Sequence, residues 1–155
     1  KGVPEITKSE TMQQIRDLVK EDPQEIWLVA DMAYPATNIP AMAGADCLNT
    51  TQTYPQKTRW EMLDQEGECE DIYNRYCHIR ASLGSKTMLE LVSTDYVEVT
   101  LSPEDLKKLN IRYIVSTNDF DERIAAGTTN IFTDSGIEFQ KYYEGAQLSI
   151  YRCVY

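Results

Sequence analysis

Residues 25–31 read Glu-Ile-Trp-Leu-Val-Ala-Asp, a short apolar run that ends on an acidic residue. A half-buried strand alternates apolar and polar residues, whereas an uninterrupted apolar run fits a strand that is covered on both faces. Such a strand lies in the interior of a sheet. The sequence therefore predicts a buried central strand over residues 25–31, and the crevice beyond its carboxyl end, at Asp31, is where an open α/β sheet binds a ligand.

A helix precedes this run, and a similar helix–strand unit occurs later in the chain. The capping-box pattern Thr7–Glu10, followed by apolar residues at helical spacing, predicts a helix over residues 8–21. Ser102 is a good N-cap and Pro103 suits the first helical position, so a short helix is expected there. A second buried strand is then predicted over residues 111–116.

A long loop and two short helices are predicted between these units. Residues 32–55 contain several prolines and small polar residues without a sustained period. We expect a long ordered loop, and loops of this length in small domains are often functional. One short helix is predicted to open at Pro55 and to end before Gly67, and another to span residues 69–76.

The pattern changes to β-strands from His78 onward. Apolar and polar residues alternate over 97–101, which indicates strands of the antiparallel type. Residues 117–130 predict a polar loop, and the alternating segments 137–143 and 147–154 predict a terminal β-hairpin. The predicted fold class is mixed α/β, with a central mixed β-sheet flanked by short helices and closed by this C-terminal hairpin.

Size and charge limit the classes of partner. The 155 residues, 42% of them hydrophobic, can bury a core without a metal or a disulfide. A net charge of −10 repels phosphate backbones, so nucleic acid is not expected as a partner. The longest apolar run is far too short to cross a bilayer. Because the chain starts Lys-Gly-Val-Pro without an initiator methionine, we interpret residues 1–155 as a single soluble domain of a larger protein.

Neither a metal nor a cofactor is predicted. The four cysteines form no CxxC pair, and only one histidine is present to help them. An even count permits two disulfides in an oxidising compartment, with the pairing left open. The acidic run over residues 61–71 does not match the spacing of an EF-hand loop, so we interpret it as a solvated surface.

The chain shows no catalytic template, and no catalytic residue is predicted. It has no dinucleotide-binding glycine motif, phosphate-binding loop, nucleophile elbow or HExxH pair. His78 is the only imidazole, and a lone histidine is more often a hydrogen-bonded structural residue than a base. With 25 acidic residues some carboxylate pair can always be nominated, so the sequence alone does not assign a glycosidase pair.

Aromatic and amide side chains provide the candidates for binding. Ten tyrosines against three phenylalanines make the aromatic set amphipathic, and such side chains either stack on sugars or fill a core. Asn74, Arg75 and His78 are also expected to fix the turn from helix to strand. Asn49–Thr51 has the form of a glycosylation acceptor. The candidate binding residues are Asp31, Tyr34, Asn38, Trp60, Asn74, Arg75 and His78.

The order of several segments resembles a known group of proteins. They are Trp27–Asp31, a loop with Asn38 and Gly44, Tyr54-Pro55, Trp60–Asp64, Tyr73–Ile79, Leu106–Val115 and the closing FQKYYEGAQLSIYRC at 139–153. This order resembles the extracytoplasmic soluble C-terminal domain of bacterial multi-pass membrane proteins related to C-type glycosyltransferases. The resemblance implies a parent with many transmembrane helices that uses a polyprenyl-phosphate-linked sugar.

The same resemblance implies a non-catalytic accessory domain on the extracytoplasmic face of the bacterial cell membrane. Its expected partners are the transmembrane portion of the same polypeptide and a glycan, cell-envelope polymer or lipid-linked sugar. Two alternatives stay open. One is a free-standing carbohydrate-active hydrolase that uses an acid pair, and the other is a protein-interaction domain with an exposed apolar patch.

Overall fold

Two β-sheets with short helices around them make up the fold. The computed structural model describes residues 3–117, 120–125 and 135–155. The helices are α1 (Val3–Glu21), α2 (Ile39–Met42), α3 (Lys57–Leu63), α4 (Glu70–Tyr73), α5 (Pro103–Lys108) and α6 (Phe120–Ala125), with a 3₁₀ turn at Ala36–Asn38. The strands are β1 (Ile26–Val29), β2 (Asp46–Cys47), β3 (His78–Leu83), β4 (Met88–Ser93), β5 (Tyr96–Leu101), β6 (Ile111–Thr117), β7 (Glu138–Glu144) and β8 (Leu148–Val154).

The larger sheet has the order β2-β1-β6-β8-β7. β1 runs parallel to both of its neighbours, whereas β8 is antiparallel to β6 and β7. Trp27 and Val29 belong to one buried cluster, which includes Ile15 of α1, and Leu28 belongs to a second cluster. β1 is therefore covered on both faces, as predicted, but it lies between β2 and β6, one place from the centre of the sheet.

The smaller sheet has the order β3-β5-β4, with β3 parallel and β4 antiparallel to β5. One face of β3 and β5 is buried, and the residues of the opposite face are partly exposed. The two sheets meet where Ala30, directly after β1, forms a parallel bridge to Ala81 of β3. The end of β1 and the middle of β3 are therefore neighbours in space.

The cap of α5 follows the sequence expectation. The Ser102 hydroxyl accepts a hydrogen bond from the Asp105 backbone N–H at 3.2 Å, and Pro103 occupies the first helical position. Asn110 ends the helix with a φ of 55°, in the left-handed region that asparagine tolerates better than most residues. β6 follows at once as a buried strand, as predicted.

The mixed α/β class and the C-terminal hairpin, formed by β7 and β8, are confirmed. The sequence did not predict that the strands divide between two sheets. The expected loop over 32–55 contains a 3₁₀ turn, α2 and β2, because a two-residue strand is too short for a periodicity signal. Within the polar loop expected over 117–130, Phe120–Ala125 form α6, whereas residues 118–119 and 126–130 lie outside the described residues.

In the parts of the chain that the structure describes, no helix has both the length and the apolar character needed to cross a membrane.

Candidate functional site

The chain turns sharply where β1 ends. Asp31 has a φ of 60°, in the left-handed region that non-glycine residues adopt infrequently, and its backbone N–H donates to the Ala81 carbonyl oxygen at 2.8 Å. This hydrogen bond fixes the exit of β1 against β3. The loop after Asp31 then reaches the start of β3, where the Tyr34 ring contacts that of His78.

Asn49 attaches a second segment to the same strand. Its amide nitrogen donates to the Val29 carbonyl oxygen at 2.7 Å, and its amide oxygen accepts from the Val29 N–H at 2.9 Å. The side chain is fully buried, so it completes the hydrogen bonding of β1 beyond the short strand β2. Asn49, the asparagine of the apparent glycosylation acceptor, is therefore a buried structural residue that hydrogen-bonds to β1.

A polar chain connects this segment to the histidine. The Asn38 amide oxygen accepts from the Thr51 backbone N–H, and the Asn38 amide nitrogen donates to the Thr51 hydroxyl oxygen, both at 2.9 Å. The Thr51 hydroxyl oxygen lies 3.0 Å from Nδ1 of His78. Three side chains from three separate segments are thus joined by hydrogen bonds at one end of β3.

Tyrosine rings surround the imidazole. The centroid of the Tyr34 ring lies 4.0 Å from that of His78 with an interplanar angle of 31°, and the Tyr76 ring meets His78 edge-on at 5.6 Å. Tyr34 is 50% exposed and Tyr76 is 52% exposed, so both rings present surface to solvent. We call this group, Tyr34, Asn38, Thr51, Tyr76 and His78, the ring cluster.

The open face of the smaller sheet continues from the ring cluster. Tyr96 of β5 is the register partner of His78, so the two residues are neighbours on the same face. Arg80 and Glu98 occupy the next position along these strands, with Arg80 Nη1 3.9 Å from a Glu98 carboxylate oxygen. The surface next to the ring cluster is therefore aromatic and polar, and it includes the Arg80–Glu98 ion pair.

Trp60 lies away from this surface. It is 1% exposed, its ring stacks on Tyr73 with centroids 5.5 Å apart, and its indole N–H donates to the Gln52 side-chain oxygen at 2.7 Å. The amide nitrogen of Gln52 donates in turn to the carbonyl oxygens of Tyr73 and Arg75. Trp60 therefore packs in the core, beneath the segment that carries Thr51.

Asn74 and Arg75 lie at the end of α4. Asn74 is exposed, while the Arg75 guanidinium donates to the carbonyl oxygens of Thr94 at 3.0 Å and Asp71 at 2.5 Å. These bonds tie α4 to the turn between β4 and β5. Of the seven residues predicted from the sequence, the structure packs Tyr34 against His78 and connects Asn38 to His78 through Thr51. Asp31 lies at the turn that follows β1.

The cysteines and acidic residues offer no metal site in the described residues. There, no three histidine, cysteine, aspartate or glutamate side chains converge so as to hold an ion. All four cysteines are free thiols. Burial raises the pKa of Cys47 and Cys153 to about 12 and that of Cys77 to about 11, so these three thiols stay protonated at neutral pH.

The ring cluster offers groups suited to binding a ligand. Half-exposed aromatic rings offer faces for the C–H surface of a ligand, and the amide, hydroxyl and imidazole groups offer hydrogen bonds beside them. Thr51 and Tyr76 were not among the binding residues predicted from the sequence. A signal existed for Tyr76, since it precedes His78 by two residues, but the contact of Thr51 depends on how a long loop folds back.

Residues 5–155 match a family described as a domain of unknown function, DUF7654. No curated protein matches the chain, and no solved structure does. Because the match covers nearly the whole sequence, the chain belongs to the DUF7654 family.

Proposed function

We propose that this chain is a non-catalytic accessory domain that contacts a glycan through the ring cluster. The observation that carries the proposal is that two half-exposed tyrosines and the only histidine form one aromatic group at the start of β3. A pyranose has an apolar C–H face and a rim of hydroxyls. Such a ligand needs aromatic surface and hydrogen-bonding groups side by side, which is what the ring cluster offers.

The charge of the chain favours a neutral sugar over a polyanion. A net charge of −10 gives an unfavourable long-range interaction with a polyphosphate or an acidic polymer. The resemblance to the extracytoplasmic C-terminal domains of glycosyltransferase-like membrane proteins supports the view that this domain is part of a larger protein. We propose that the domain is attached to the transmembrane portion of a polytopic glycosyltransferase-like protein and lies on the extracytoplasmic face of a bacterial membrane, where the sugar is free or lipid-linked.

Replacing Tyr34 by alanine should weaken sugar binding by at least about five-fold, because the half-exposed ring that stacks on His78 is lost. The probe is a panel of neutral methyl glycosides of glucose, galactose, mannose and N-acetylglucosamine. Binding is followed by amide chemical shifts of the ¹⁵N-labelled 155-residue chain. We expect shifts concentrated at the backbone of Asn38, Thr51 and His78.

Tyr142→Ala is the matched control, because this tyrosine is 48% exposed and lies on β7 of the other sheet. It should bind each glycoside as the wild type does. A nanodisc that contains polyprenyl-phosphate-linked glucose serves as a second probe and separates a lipid-linked ligand from a free one. The proposal fails if neither probe perturbs the ring cluster, or if the chain releases reducing sugar from the glycosides and is therefore a hydrolase.

A further inference from the structure

Hydrogen-bond directions in the ring cluster can be assigned from groups that have only one role. The Thr51 backbone N–H can only donate, so the Asn38 atom that receives it is the amide oxygen. The other amide atom is then the nitrogen, which can only donate, so the Thr51 hydroxyl oxygen is its acceptor.

The Thr51 hydroxyl still has one proton to place. Nδ1 of His78 lies 3.0 Å from the hydroxyl oxygen and can accept that proton if Nδ1 itself is unprotonated. In a neutral imidazole the ring proton is then on Nε2. This arrangement gives the Thr51 hydroxyl proton an acceptor, whereas a proton on Nδ1 would leave it without one in this chain.

We propose that Asn38 and Thr51 are positioning residues that hold His78 as its Nε2–H tautomer, so that Nε2 donates to an acceptor oxygen of a saccharide packed against Tyr34 and Tyr76. In the described residues, Nε2 has no hydrogen-bond partner within the protein. This donor role depends on the proposed sugar binding and adds a requirement to it. It specifies that the ligand has a hydroxyl or carbonyl oxygen next to its apolar face.

The tautomer can be measured directly, because the 155 residues include a single histidine and so give one pair of ring nitrogens. Long-range ¹H–¹⁵N correlation at a pH where the ring is neutral should show a protonated Nε2 and a hydrogen-bonded, unprotonated Nδ1. Thr51→Val should move the Nδ1 resonance to the position of an imidazole without this bond, and Thr51→Ser should restore it. A ring protonated on Nδ1, or shifts unchanged in Thr51→Val, would overturn the inference.

Thr50→Val is the matched control for this series. Within the described residues the Thr50 hydroxyl makes one hydrogen bond, to the Thr51 carbonyl oxygen at 3.4 Å, so its removal should leave the His78 nitrogen shifts unchanged. The comparison distinguishes the loss of one specific hydrogen bond from a general effect of valine in this loop.

Ligand binding supplies the second readout. His78→Phe keeps an aromatic ring but removes the donor, so we expect about five- to ten-fold weaker binding of the preferred glycoside and a smaller loss in Thr51→Val. Both losses should disappear for the monodeoxy glycoside that lacks the acceptor hydroxyl, as in a double-mutant cycle. Binding that is unaffected by His78→Phe overturns the donor role alone, whereas the absence of any sugar binding overturns the proposed function together with it.

Discussion

Replacing Asn49 by alanine is expected to lower the free energy of unfolding by about 3 kcal/mol, a large share of the stability of a domain of this size. The fully buried Asn49 amide satisfies both the N–H and the carbonyl oxygen of Val29. Alanine removes both partners and leaves no access for water. Two buried backbone groups without hydrogen bonds each cost about 1–3 kcal/mol, and the small cavity adds to that cost.

Two other asparagines provide matched controls for this substitution. Asn38→Ala also removes an amide that makes two hydrogen bonds, but the amide is only partly buried, so water can replace it and the cost should be about 1 kcal/mol. Asn74→Ala changes an exposed side chain and should stay within about 0.5 kcal/mol of the wild type. Urea denaturation followed by tryptophan fluorescence measures all three. An Asn49→Ala chain as stable as Asn74→Ala would contradict this account of β1.

The strands that the sequence predicted best are those whose burial can be inferred from the local order of apolar and polar residues. The apolar run of β1 and the alternation of β5 each report how many faces of the strand are covered. The pairing of strands, in contrast, depends on contacts between segments that are distant in the sequence. β3 runs parallel to β5 although β4 lies between them in the chain, and no local pattern encodes that register.

The ring cluster could be predicted only in part, for a related reason. Tyr34, Asn38 and His78 carry residue types that stand out alone in a sequence. Thr51 is unremarkable by type, and its role depends on Asn49, which holds the loop along β1 two residues earlier. Trp60 shows the opposite problem, because an aromatic side chain that can stack on a sugar stacks equally well on Tyr73 inside the core.

Raising the pH above 9 is expected to destabilise the fold through its buried thiols. Burial raises the pKa of both Cys47 and Cys153 from 9.0 to about 12, and the neighbouring Asp46 carboxylate adds to the shift of Cys47. The unfolded chain therefore loses these protons at a lower pH than the folded chain does. Their contribution to stability is complete below pH 9 and is lost as the pH rises toward 12.

The size of this loss follows from proton linkage. Between pH 9 and 10 each of these two thiols should lower the free energy of unfolding by about 1 kcal/mol, and the loss per pH unit then approaches about 1.4 kcal/mol for each. Above pH 10 two buried tyrosines add to the effect, since burial and a hydrogen bond to a carboxylate raise the pKa of Tyr113 and of Tyr151 from 10.0 to about 12. The partner carboxylates are those of Asp22 and Asp121.

A double variant, Cys47→Ala with Cys153→Ala, separates the thiols from the other titrating groups. Both side chains are almost fully buried, so the variant should be less stable than the wild type at neutral pH. Its stability should nevertheless fall by about 2 kcal/mol less between pH 9 and 10, because neither thiol is left to titrate. Urea denaturation at closely spaced pH values measures the two slopes. If wild type and double variant decline in parallel, the buried thiols do not cause the alkaline loss of stability, and the tyrosines and lysines must account for it.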